Sequence, residues 1–416
     1  MKPLRLLHIC AVYPPFVGGA STYVAEISRR FAAQGHSVTV LTTDIAQIDA
    51  TWSPHARRIP VLRENLDGVQ VERMRIGHLP GAPFSFYALR RLMPLIAPIA
   101  PRTLLRAMGR CVPLLVDTQR VRTLLRQPYD LTHIVNITME SPLLAAASVP
   151  GPRVCTPFVH IGSDHVLRNY VMPHQMQLLH DSQRVLVQTP REGAALAQLG
   201  VNQNSLRLLG MGMNPREAEE SDGAEFRRRH GLPPSVPIIA FLGSITRDKG
   251  AVPLLEAMQL LWQENNEAVV ALAGEIPAPG GFAHAIQQLP EKWRCKVVLP
   301  GVLRGREKHD MLAAASVFAM PSRVDSFGIA YLEAWAHGLP VIGADAGGVP
   351  DVITHEQDGY ILPFGDAQNL AEHIQMLLAN PELAATLGNA GKRKMLDQYT
   401  WESIFTKVER QYEELT

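Results

Sequence analysis

The sequence predicts an α/β protein made of two Rossmann-like, doubly wound parallel-sheet domains, and three observations carry that prediction. Apolar runs of strand length alternate with helix-spaced segments along the chain. The alternation stops at a polar, turn-rich stretch, residues 216–234, and starts afresh at Ile238-Ile-Ala-Phe-Leu-Gly-Ser244. The 416 residues suffice for two or three domains, each with its own core. The boundaries this implies are residues 1–212 for the first domain and 213–399 for the second, with a closing helix over 400–416 that returns to the first.

Composition narrows the function. A hydrophobic content of 46% describes an ordinary globular chain, and a net charge of +1 gives no electrostatic reason to expect nucleic acid as a partner. Cys10, Cys111, Cys155 and Cys295 are scattered, without a CxxC pair or a His at metal spacing. Cys10 and Cys155 sit in apolar runs and read as small core residues, so a reducing, cytoplasmic compartment fits. Met1-Lys-Pro-Leu-Arg5 leads into a strand pattern and not into a signal-peptide core. The nearest approach to a membrane span, residues 92–100, is far short of the roughly 20 residues required and is broken by Pro94 and Pro98.

In chain order, residues 4–12 read as a buried parallel strand. Gly18 and Gly19 follow a Pro-rich turn, and Tyr23, Val24, Ile27 and Phe31 mark one face of a helix that Gly35 ends. With a strand over 37–43 this makes a βαβ unit. Pro-Pro-Phe-Val-Gly-Gly19 is not Gly-x-Gly-x-x-Gly, which counts against a dinucleotide oxidoreductase. Residues 67–75 predict one more strand. Residues 84–126 are different in character, with eight Arg, no Lys and Asp117 as their one acid. They read as amphipathic helices that pack a core with solvated Arg, contact an anionic membrane surface peripherally, or bind an anionic or lipid-linked acceptor. Residues 129–136 and 153–160 predict two parallel strands, with His160 at the carboxyl end of the second, where open α/β sheets hold ligands. Strands over 184–189 and 206–213, around a helix over 192–199, complete the first half.

In the second half, Gly243-Ser-Ile-Thr-Arg-Asp-Lys-Gly250 joins a strand to a helix and outlines a phosphate cradle without being a Walker A sequence. The stretch Met320-Pro-Ser-Arg-Val-Asp-Ser-Phe-Gly328 runs from a strand into a helix N-terminus. It aims the backbone N–H groups of Ser326, Phe327, Gly328 and Ile329 and the positive end of the helix dipole at one place. Glu333 lies about 1.5 turns into that helix, poorly placed for a phosphate and well placed for the hydroxyls of a ribose attached to one. Gly347 and Gly348 make a further nest of N–H groups before a helix. The ligand this asks for is a nucleotide-sugar.

The run from 320 to 343, with seven residues between Asp325 and Glu333 and ending in Glu-Ala-Trp-Ala-His-Gly-Leu-Pro-Val-Ile-Gly343, closely resembles the signature of the family 4 (GT4) retaining glycosyltransferases. Their fold, GT-B, sets two such domains on either side of a central cleft. The resemblance is sharp over 243–359, fair over 13–35 and 158–200, and absent over about 80–125. It implies an enzyme, a hexosyltransferase, with catalytic roles for His160, Lys249 and Asp325. In the family an Arg and a Lys grip the diphosphate. Lys249 matches, while the Arg position holds Ser244, leaving that contact missing or supplied by Arg247. Asp325 stands where the family usually has Glu. The resemblance further implies donor contacts from Gly243 and Val302, the latter to the base through its backbone, and approach of the Gly18–Gly19 loop to the transferred group or the acceptor. Domain closure on the donor would bring His160 toward Gly328.

No Asp-x-Asp triplet occurs, so the reading includes no metal and no cofactor, with the nucleotide-sugar as a substrate. Polysaccharide or glycoconjugate synthesis at the inner face of the cytoplasmic membrane is the expected setting. The rivals are an epimerase or phosphorylase on the same fold, and a sugar-nucleotide binding protein without turnover.

Overall fold

The computed structural model describes residues 2–138, 149–161, 167–168, 171–277 and 281–416. The chain divides into one unit of Met1–Leu209 with Phe405–Thr416 and another of Gly210–Ile404. Strands of the first are β1 (Arg5–Cys10), β2 (Ser37–Thr43), β3 (Arg63–Leu66), β4 (Val69–Met74), β5 (Ile76–Gly77), β6 (Leu114–Leu115), β7 (Leu131–Val135), β8 (Arg153–Thr156), β9 (Arg184–Val187) and β10 (Leu206–Leu208). Eight of them form one sheet in the order β10-β9-β8-β7-β1-β2-β4-β3. All its pairings are parallel except that of β3 with β4.

One local expectation is extended here and one corrected. The strand expected over 67–75 is β4, and it forms the second arm of a hairpin turned by Asp67 and Gly68 at φ 51° and 83°. The first arm, β3, is the polar run Arg-Glu-Asn-Leu; as an edge strand it alternates exposed and half-buried residues and has no apolar signature. The strand expected over 153–160 stops at Thr156, because Pro157 has no N–H for the ladder and Phe158 turns the chain at φ 52°. His160 therefore lies in the loop beyond β8. Residues 84–126 contribute the helices Phe84–Ile96, Arg102–Gly109 and Thr118–Leu125.

The final helix, Trp401–Glu413, joins the N-terminal unit from Phe405 onward. Its Tyr412 ring stacks on Phe31 at 4.6 Å. Its hydroxyl meets His133 Nδ1 at 2.7 Å and His8 Nε2 at 3.1 Å. His133 Nε2 meets Thr156 Oγ1 at 2.8 Å, and His8 Nδ1 meets Ser28 Oγ at 2.7 Å. Every member of this network is buried. Burial pushes His8 down to about 3 and His133 well below its ordinary value, so both are neutral.

The C-terminal unit holds β11 (Ile238–Leu242), β12 (Val269–Ala273), β13 (Val297–Gly301), β14 (Val317–Ala319), β15 (Val341–Ala344) and β16 (Tyr360–Leu362). They form a wholly parallel sheet in the order β13-β12-β11-β14-β15-β16. The strand order reverses between β11 and β14, which is where open α/β sheets leave a crevice at their carboxyl ends. Among the described residues no helix is long and apolar enough to cross a membrane.

Candidate functional site

Because β11 and β14 are neighbours, with Ile239 opposite Val317 and Ala240 opposite Phe318, the loops that leave them emerge side by side. The loop 243–250 and the loop 320–328 are then bonded to each other. The Arg323 N–H donates to the Asp248 carbonyl at 2.9 Å, and the Arg323 guanidinium donates to Asp248 Oδ1 at 2.7 and 3.0 Å. Lys249 Nζ donates to Asp325 Oδ1 at 2.6 Å. The Lys249 side chain is 25% exposed and that of Asp325 13%, so the pair is desolvated in part and still open to a ligand.

The loop after β15 fixes Asp325 from another side. The Gly348 N–H donates to the Asp325 carbonyl at 2.9 Å. Gly347 has φ 58°, and a Cβ there would stand 2.3 Å from the same carbonyl oxygen, so only glycine allows this approach. Gly328 caps the helix Ile329–Ala336 from the left-handed region, at φ 91°. A side chain at Gly328 would collide with the Tyr331 ring at 2.5 Å, and Tyr331 is itself locked by donating its hydroxyl to the Met320 carbonyl at 2.5 Å. In the first turn of this helix the Tyr331 N–H donates to the Gly328 carbonyl at 3.0 Å, and that turn starts three residues after Asp325.

Phe327 is placed differently from a ligand-facing residue. Its side chain is buried against Tyr399, ring centroids 5.3 Å apart, so what it offers a ligand is backbone. Ser326 and Ile329 are partly buried beside it. In the neighbouring loop the Gly243 N–H donates to the Ala273 carbonyl at 3.0 Å, Ser244 is partly buried, and Arg247 is exposed. Val302, exposed, follows the end of β13 on the same edge of the sheet.

Glu333 faces a residue that sequence reasoning missed. Lys308 Nζ donates to Glu333 Oε1 at 2.5 Å, with side-chain exposures of 17% and 15%. Burial pulls the Lys308 ammonium down, but the charge and hydrogen bond of Glu333 and the charge of Glu217 outweigh it and hold its pKa above the ordinary value. Next to Lys308 on its helix, buried His309 meets His337 Nε2 at 3.0 Å. Burial first, then His309, Lys392 and Lys308, push His337 down to about 4. Nothing in the sequence pairs residue 308 with residue 333; only the fold does.

The remaining candidates belong to the N-terminal unit. Gly18 is extended and caps the helix Gly19–Ala33, its carbonyl accepting the Thr22 N–H at 2.9 Å, and Gly19 is exposed. His160 is partly buried. The residue before it is held by a second missed group: Glu192 Oε1 accepts the Val159 N–H at 2.8 Å, and its Oε2 accepts the Gln188 N–H at 2.7 Å. Burial raises the Glu192 carboxyl to about 7. Thr189-Pro-Arg-Glu192 has capping-box spacing, of which the structure forms one half, the Glu192 N–H donating to Thr189 Oγ1 at 3.2 Å, and that spacing is the signal from which Glu192 was readable.

Residues 18–212 match the model of a glycosyl transferase 4-like domain, and residues 222–394 that of the glycosyl transferases group 1. A sulfoquinovosyl transferase of Arabidopsis thaliana is 30% identical over 213 residues, 49% of this chain and 39% of its own length. An alpha-maltose-1-phosphate synthase of Mycolicibacterium smegmatis is 31% identical over 176 residues, 40% of this chain and 45% of its own. The chain thus spans less than half the length of these relatives. Among solved structures, a sucrose-phosphate synthase of Thermosynechococcus elongatus superposes with a TM-score of 0.75 at 21% identity, covering 99% of each chain. Anabaena HepE, in complex with UDP and glucose, superposes with a TM-score of 0.72 at 18% identity over 99% of this chain and all of its own. At those identities the likeness shows the fold, which is GT-B. With a 4-like domain followed by a group 1 domain on that fold, the chain belongs to the family 4 type of glycosyl transferases.

Proposed function

We propose that the chain is a retaining, metal-independent glycosyltransferase that moves a hexosyl group from a UDP- or GDP-sugar to a glycan, lipid-linked or small-molecule acceptor. One observation carries this reading: Lys249, Asp325 and the N-terminus of the helix Ile329–Ala336 open together where the C-terminal sheet reverses its strand order. In this reading the donor diphosphate takes Lys249 from Asp325, and the helix N–H groups and dipole meet its remaining charge. Asp325 then turns to hydroxyls of the donor sugar, and Glu333 exchanges Lys308 for the ribose. The charge that builds on the leaving diphosphate is stabilised by groups already in place. The nucleotide complexes of HepE support a nucleotide donor. His160 and the loop of Gly18 and Gly19 keep the roles that the family resemblance gives them. Placement at the cytoplasmic membrane, through peripheral contact of residues 84–126 with anionic lipid, is part of the same proposal.

Calorimetric titration with UDP, GDP and ADP, in chelator, tests the donor site. Tight binding of one nucleotide that weakens in Lys249→Ala and in Glu333→Ala supports it. A folded protein that binds none of the three would overturn it.

A further inference from the structure

We propose that Glu217 is a positioning residue for ribose recognition: it is the alternate partner of Lys308 and receives the ammonium when Glu333 turns to the hydroxyls of a bound nucleotide. This rests on the donor-site reading above, in which Glu333 meets a ribose, and adds to it the group that sets how strongly that ribose is held.

The Lys308 side chain is 17% exposed, and a cation so enclosed keeps its charge at low cost only beside an anion. Glu333 Oε1 supplies that anion at 2.5 Å. A ribose that takes the Glu333 carboxylate therefore breaks a partly buried ion pair, unless a second carboxylate stands ready for the ammonium. The short helix Arg216–Glu219 provides one. It packs on the helix Gly305–Ala314, which carries Lys308, and the charge of Glu217 acts on the Lys308 ammonium alongside that of Glu333.

Glu217 is aimed but not neutralised. Its Oε2 lies 3.4 Å from His309 Nε2, and Asn214 hydrogen-bonds the same carboxylate. No Lys or Arg stands within ion-pair distance of it among the described residues, and its side chain is 48% exposed, which leaves it room to meet a neighbouring ammonium. The His309 hydrogen bond first, and the Lys308 charge after it, outweigh burial and hold the Glu217 carboxyl below its ordinary value. His309 is itself buried and is fixed from its other nitrogen, Nδ1 meeting His337 Nε2 at 3.0 Å. With one proton on each ring, His337 donates to His309 Nδ1 and His309 Nε2 donates to Glu217, so every short contact in the chain has its hydrogen. Lys308 and His309 are consecutive on one helix, and their partners Glu333 and His337 are four residues apart at the end of the next. The two rows lie side by side, with Glu217 the carboxylate common to both.

The test titrates the full chain with UDP and GDP and with their 2′,3′-dideoxy forms. The affinity ratio of the ribo- to the dideoxy-nucleotide reads the ribose contacts alone. Glu217→Gln keeps the hydrogen-bonding shape and removes the charge. It is expected to lower that ratio about fivefold, the scale of one partly exposed ion pair, and to leave the dideoxy affinity unchanged. Glu217→Ala is the second variant and should give the same ratio. In a Lys308→Gln background neither change should move the ratio, because no ammonium is left to place. Three results each overturn the proposal: an unchanged ratio in Glu217→Gln and Glu217→Ala, the same loss with and without Lys308, or a loss shared equally by the ribo- and dideoxy-nucleotides, which would mark a merely structural role. Equal affinities for the two nucleotides in the wild type would instead sink the donor-site reading underneath, whereas a wild-type preference that the Glu217 variants leave intact sinks this proposal alone.

Discussion

In the N-terminal unit, His8, Ser28, His133, Thr156 and Tyr412 close a buried network in which each polar group has its partner inside the protein. In the C-terminal unit, Lys249 with Asp325 and Lys308 with Glu333 are opposite charges, each pair partly exposed at a sheet edge. The first arrangement holds β1, β7, β8 and the final helix together and keeps its histidines neutral. In the proposed function the second holds charges that change partner when an anion or a hydroxyl arrives, because a partly desolvated ion pair gains little by staying closed. Polar clusters of similar size are thus sealed in one unit and partly open to solvent in the other.

The strongest way to break this comparison is Lys249→Ala. Losing a charge-assisted contact to the diphosphate is expected to cost about 3 kcal/mol, roughly a hundredfold in nucleotide affinity, with the melting temperature little changed. A large stability loss with intact nucleotide binding would show that the Lys249–Asp325 pair is structural. Tyr412→Phe is the converse: it keeps the ring stacked on Phe31 and removes the hydroxyl from both histidines, at about 1–3 kcal/mol of unfolding free energy. Denaturant melts should show that loss while UDP or GDP titrates as in the wild type. Glu333→Ala is expected to weaken the nucleotide about tenfold, the scale of hydrogen bonds to a charged group. Equal affinities for the ribo- and 2′,3′-dideoxy-nucleotides in the wild type would remove Glu333 from the ribose.

A further effect is one of pH. His8 sits near about 3 against an ordinary 6.5, so the unfolded chain takes up the proton first as pH falls. Its contribution to stability is whole above pH 6.5 and is lost progressively toward pH 3. Glu192 runs the other way. At about 7 against 4.5 its folded form holds a proton that the unfolded chain releases, so its contribution is present in acid and is lost as pH rises through 7. The stability of the wild type minus that of Glu192→Gln should therefore fall between pH 5 and pH 8. A difference independent of pH would mean that Glu192 does not titrate in this window.

Much of the candidate site was legible because its parts lie in backbone geometry and short spacings. Gly328 before a helix, Gly347 and Gly348 after a strand, and Lys249 between Gly243 and Gly250 are local features, and local features survive in a linear sequence. Lys308 and Glu192 act on residues 25 and 33 positions away, and only a capping-box spacing betrayed the second. The edge strand β3 and the shortened β8 escaped for a related reason. An edge has no buried face to impose a pattern on its residues, and β8 stops at Pro157, a local break inside a run whose apolar residues still read as strand.

The sequence by itself determined the α/β alternation, the break between its two halves, and the glycine-rich loops of the second half, since periodicity, turn residues and loop spacing express each of these locally. Tertiary structure alone decided that Lys249 closes on Asp325, that Tyr412 locks the final helix onto His8 and His133, and that one apolar face of the helix Phe84–Ile96 is packed while the other is exposed. Those outcomes depend on which surfaces meet, and pairings between distant segments are set by packing and desolvation, which leave no periodic trace along the chain.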